Sequence, residues 1–115
     1  MINFISENDK NDPKVIWKLR PLEPEISNSL VKQYGYNGLK FATELLRFSL
    51  VGVENFKLNG KELQFFHTVR TLEGKNYLVA GNRLINAIPP VILNDLILKL
   101  ADIAKTLKKD QENGS

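Results

Sequence analysis

The run PPVILNDLILKLADIAKTLKK, residues 89–109, constrains this chain more than any other part of it. At about 100° per residue, Ile92, Leu93, Leu96, Ile97, Leu100, Ile103, Ala104 and Leu107 fall on one wide stripe. Asn94, Asp95, Lys99, Asp102, Lys105 and Lys109 fall opposite. Pro90 suits a first helical turn, where its missing N–H costs nothing. Lys105, Lys108 and Lys109 suit the negative end of the helix dipole. Each large side chain buried from such a stripe contributes about 1.5–3 kcal/mol before entropy is subtracted. No other segment is as long or as apolar, so the remainder has to pack against it.

Upstream, Ile2–Ile5 reads as a short edge strand and Ser6–Lys14 as a polar loop. In Lys14–Leu22, Val15, Trp17 and Leu19 alternate with Lys14, Lys18 and Arg20, the pattern of a half-buried strand that Pro21 ends. Glu23-Pro24-Glu25 opens a helix through Ile26, Leu30 and Tyr34, with Gly35 as its stop. Asn37 is placed to cap a second helix, Leu39–Leu50. There Leu39, Phe41, Ala42, Leu45, Leu46, Phe48 and Leu50 take one broad side, and Lys40, Thr43, Glu44 and Arg47 the other. Glu44 and Arg47 are read as a surface pair worth a few tenths of a kcal/mol. Gly52 is read as the end of that helix or a turn just after it.

Val53–Leu58 and Lys61–Phe66 flank Asn59-Gly60, a strong hairpin signal. A second hairpin follows, through Val69 and Leu72, the turn Glu73-Gly74, and Tyr77–Ala80. One or two helical turns, Arg83–Ile88, precede the Pro89-Pro90 stop. The fold class is therefore α+β: an N-terminal strand, two helices, an antiparallel β-hairpin sheet, and a long C-terminal helix packed on it. The expectation is one domain over residues 1–115, with 1–13 and 110–115 flexible.

The chain has no cysteine and a single histidine, His67, in its 115 residues. That excludes disulfides, thiolate metal sites and multi-histidine centres within one chain. No apolar run approaches the ~20 residues of a membrane span. The N-terminus lacks the basic start and long apolar core of a signal peptide, so the chain reads as intracellular. The net charge of +3 is spread over every segment and interleaved with acids. It reads as a mixed-charge surface more than a nucleic-acid footprint. No nucleophile–base motif in the sequence includes His67, and Glu23 and Glu25 are better explained by a helix first turn than by acid–base work. Phe65 and Phe66 with Arg70 match an aromatic, basic RNA-binding strand only in part, because consecutive aromatics face opposite sides. No enzyme activity, cofactor or metal is expected.

One feature of the last helix does not belong to the core stripe. Val91 and Leu98 lie in the polar arc, seven residues apart in sequence and so on one line. With Ala101 at the border and Lys105 beside it, they form a candidate seam for a protein partner or a second copy of the chain. The competing reading is chance exposure, or cover by the N-terminal segment.

Three phrases occur together in a fixed order: WKLRPLEPE (Trp17–Glu25), LLRFSLVGVENFKLNGKELQF (Leu45–Phe65) and INAIPPVILNDLILKLADIAKTLKKDQEN (Ile85–Asn113). Together they resemble short proteins of bacteriophage tail gene clusters, of the tail assembly chaperone type. Val53 stands where those proteins commonly carry an aromatic, and their acidic ending is reduced to Asp110-Gln111-Glu112. The resemblance implies a non-enzymatic protein of the host cytoplasm that covers apolar helices of the tape-measure protein until tail-tube subunits assemble around them. The alternatives are a minor structural tail component and a small basic nucleic-acid-binding protein.

Overall fold

Burial alternates along residues 15–19, and that alternation builds the first sheet. Val15, Trp17 and Leu19 are buried, while Ile16 and Lys18 are half-buried. The computed structural model describes residues 1–35, 38–58, 60–62 and 67–113, with backbone alone at 58, 62 and 106–113. In it, strand β1 (Ile2–Phe4) pairs antiparallel with β2 (Ile16–Leu19), Ile2 opposite Leu19 and Phe4 opposite Trp17. On the other side of β2 lies β3 (Leu50–Glu54), also antiparallel, with Trp17 opposite Val53. The register slips between Lys18 and Leu19, the irregularity expected where one strand carries an extra residue.

Gly52 does not end a helix. It sits within β3 opposite Lys18, and a Cβ there would stand 3.2 Å from the Lys18 side chain. The lysine stem lies across the glycine and its ammonium reaches Glu54 at 2.9 Å.

Helix α1 (Pro24–Tyr34) starts on its proline and stops at Gly35, whose φ of 79° is easy only for glycine. The Gly35 N–H closes the end by donating to the Val31 carbonyl at 2.8 Å. Helix α2 (Leu39–Ser49) passes directly into β3 through Leu50, which is already extended. The expected Asn37 cap lies outside the described residues, as do Phe65 and Phe66.

Among the described residues the hairpins do not merge into one sheet. Strands β4 (Lys57–Leu58) and β5 (Lys61–Glu62) form one pair, and β6 (His67–Leu72) and β7 (Lys75–Ala80) another. Glu73 and Gly74 both have positive φ, 47° and 80°, the combination of a type I′ turn. Helix α3 (Asn82–Ala87) leads through Pro89 into α4 (Pro90–Asn113). The last helix runs as far as Asn113.

Two cores share α2. The larger joins the three-stranded sheet to α3 and α4 through Trp17, Leu19, Leu46, Leu84, Ile92 and Leu96. The smaller joins α1 to the β6–β7 hairpin through Ile26, Leu30, Phe48, Leu72 and Val79. Residues 2–4, 6 and 9 of the N-terminal arm are held against the rest of the chain. β1 is paired, and Ser6 and Asp9 are buried. The Asp9 carboxylate accepts the backbone N–H of Asn11 at 2.9 Å and of Val15 at 2.6 Å. Burial alone would push this carboxyl up, but those hydrogen bonds, the Asn11 side chain and Lys14 hold it below its ordinary value.

Candidate functional site

Helix α2 is apolar over a wider arc than one core can cover. Leu46 enters the larger core and Phe48 the smaller, so both sides of the helix are used. Its polar side is covered as well. Glu44 and Arg47 are buried, not at the surface where the helix pattern put them. Arg47 Nε lies 3.3 Å from Glu44 Oε1, and Arg47 Nη1 donates to the Ala80 carbonyl at 2.8 Å. Arg70 approaches the same Glu44 oxygen at 3.6 Å. The β6–β7 hairpin folds over this face of α2 and supplies both Ala80 and Arg70. Charges removed from water need partners of this kind, so the network serves the fold.

An open cleft lies on α2 between its two neighbours. α1 and α4 each pack against α2, and between them a cleft of about 300 Å³ is left unfilled. Phe41, Leu45 and Ser49 follow one another at i, i+4, i+8 along α2 and line its floor. Ser27, Asn28 and Val31 form the α1 wall; Leu100, Ile103 and Ala104 form the α4 wall. Arg20, Pro21 and Leu22, the link between β2 and α1, close the end near Ser49. The cleft is thus a groove about two helical turns long, roughly 12 Å, and mostly apolar.

Among the described residues of that lining, Arg20 is the one that carries a charge. It is clamped to the end of α2 in three ways: Nε donates to the Phe48 carbonyl at 3.1 Å, its backbone N–H donates to the Ser49 carbonyl at 2.9 Å, and the Ser49 hydroxyl donates to its carbonyl at 2.5 Å. None of the ion pairs among the described residues includes Arg20.

The seam expected on the last helix is exposed but divided. Val91 and Leu98 are 58 % and 60 % exposed, and Ala101 and Lys105 are exposed beside them. Asp95 lies on the same line between the first two. It accepts hydrogen bonds from Ser6 Oγ at 2.5 Å and Asn8 Nδ2 at 2.8 Å, which hold its carboxyl below the ordinary range. The N-terminal arm therefore crosses the line at its middle. Leu98 is left in a shallow hollow with Phe4, Ile5 and Asn8, apart from Val91. A further exposed pair, Val69 and Leu78, lies directly across the β6–β7 ladder.

Sequence reasoning missed the groove because its walls come from helices far apart in the chain. The available signal was the width of the α2 apolar arc, in which Phe41 and Leu45 exceed what one packed face uses. His67 is exposed at the start of β6, and no group of three or more acidic or histidine side chains among the described residues is arranged to hold a metal ion. No described helix is long and apolar enough to cross a membrane. Comparisons with protein-family models, with curated proteins and with solved structures find no match to this chain.

Proposed function

We propose that this chain is a non-enzymatic protein-binding component of phage tail assembly, a chaperone acting in the host cytoplasm. Its task is to cover apolar helix faces of the tape-measure protein before the tail tube closes around them. The observation that carries the reading is the groove over Phe41 and Leu45, open between α1 and α4. A groove between two helices, floored by a third, accepts the apolar face of an amphipathic helix as i, i+3 or i+4 anchors. The resemblance of the three ordered phrases supplies the biological setting. The nucleic-acid alternative draws less support. Lys18, Lys32 and Lys75 stand within ion-pair distance of Glu54, Glu73 and Glu25, which leaves less unpaired charge to contact phosphates.

The test is co-expression with an apolar helical fragment of the tape-measure protein from the same tail gene cluster, read by sedimentation. The fragment stays soluble in a defined complex with the wild-type chain. Leu45→Glu places a charge on the groove floor and abolishes the complex, while circular dichroism shows the variant folded. A fragment that stays insoluble with the wild type, or a folded Leu45→Glu that still holds it, rejects the reading.

A further inference from the structure

The groove has a polarity that its apolar lining does not require. At one end the α2 floor runs out at Phe41; at the other it meets the clamped guanidinium of Arg20. The Nε bond to Phe48 fixes the arginine plane, and the two backbone links to Ser49 fix its Cα. Its charge has no carboxylate partner in the ion pairs among the described residues, although ion pairs are formed elsewhere. A cation held in place beforehand loses little side-chain entropy when it meets an anion. Next to an apolar wall, the bond it makes is stronger than in open water.

Resting on the reading of the groove as a helix receptor, we infer that it selects helices carrying an acidic residue one turn beyond their apolar anchors. The occupant lies along α2 with its anchors over Phe41 and Leu45 and its carboxylate against Arg20. Charge complementarity thus specifies both the partner's composition and its direction in the groove. An apolar helix without the acid still enters, but more weakly and without a fixed direction.

The experiment uses the full chain and two labelled probe peptides of about 18 residues, long enough to form a helix. Both carry two leucines one turn apart. One has glutamate a further turn along, and the other has glutamine there. Fluorescence anisotropy should give about tenfold tighter binding of the glutamate peptide to the wild type, equivalent to about 1.4 kcal/mol. The preference should shrink as salt is raised. It should vanish in Arg20→Gln and be partly retained in Arg20→Lys. Equal binding of the two peptides by the wild type overturns the inference, a comparison that needs no protein variant to fold. A preference that survives in folded Arg20→Gln overturns it as well. In both cases the groove reading stands, provided Leu45→Glu binds neither peptide. If the wild type binds neither peptide, the groove reading fails together with the inference.

Discussion

Ser6 donates its hydroxyl to the Asp95 carboxylate at 2.5 Å and so joins the N-terminal arm to the middle of α4 across 89 positions of chain. Asn8 binds the same oxygen and Asp9 closes the loop back to Val15. The arm is thereby held by two carboxylates, which accept these hydrogen bonds most strongly when ionised. Hydrogen bonds keep each below its ordinary value of 3.8 in the folded chain. A carboxyl with a lowered folded value favours folding above its unfolded value, and that contribution is lost as pH falls through the lowered one.

Stability and arm protection should therefore be independent of these two groups from neutral pH down to about 5, then fall below about 4. Urea melts across this range, with hydrogen exchange of the Val15 amide, provide the measurement. Asp9→Asn should cost about 1–3 kcal/mol at neutral pH, since one of the two backbone N–H donors, of Asn11 and Val15, loses its acceptor. The Asp9→Asn, Asp95→Asn pair should also flatten the acid limb. An unchanged acid limb in the double variant would show that other carboxylates govern it.

Glu44 tests the covered face of α2. With both Glu44 and Arg47 buried, Glu44→Gln leaves the Arg47 charge without its carboxylate. The expected loss is about 3–5 kcal/mol by denaturant titration, against a few tenths for a surface pair. Joint replacement by Gln and Met should recover part of it. A Glu44→Gln protein within about 0.5 kcal/mol of wild type would return the pair to the surface.

These two cases mark where the sequence was legible. The alternation of Val15, Trp17 and Leu19 specified a strand and its buried face, because only an extended chain turns every second side chain to the same side. The turns at Gly60 and Gly74 were legible because positive φ restricts residue choice. The strand partners of β2 were less so, since pairing between residues 2–4, 16–19 and 50–54 is non-local and carries no local mark. Glu44 and Arg47 look alike in sequence whether a helix face meets water or a hairpin. The groove depends on where α1 and α4 stand relative to each other, and no side-chain pattern within either helix encodes that distance.

The second hairpin should respond to its turn residues in opposite directions. Gly74 has φ of 80° and open space where a Cβ would go, so Gly74→Ala carries backbone strain alone, about 1–2 kcal/mol. Glu73 holds φ of 47° with an ordinary side chain. Glu73→Asn should relieve part of that strain, because asparagine tolerates the left-handed region. The lost contact to Lys32, exposed and 3.5 Å long, contributes little. Thermal melts that rank Glu73→Asn at or above wild type, and Gly74→Ala below it, support this account; the reverse ranking refutes it.

The phase of α4 is open to direct measurement, because residues two apart on one helical turn face opposite environments. Leu96 is fully buried among Trp17, Leu46 and Ile92, while Leu98 is 60 % exposed two residues later. Leu96→Ala should leave a cavity in the larger core and cost about 2–5 kcal/mol, a large fraction of a domain's usual margin of about 5–15 kcal/mol. Leu98→Lys should stay within about 0.5 kcal/mol of wild type, as surface changes usually do. Melting curves separate the two. Sedimentation of the folded Leu98→Lys protein then reports on the outer line itself. Loss of self-association, or of binding to the tape-measure fragment, would assign Leu98 a part in an interface despite the arm that separates it from Val91. Unaltered association, alongside loss on Leu45→Glu, places the binding surface in the groove.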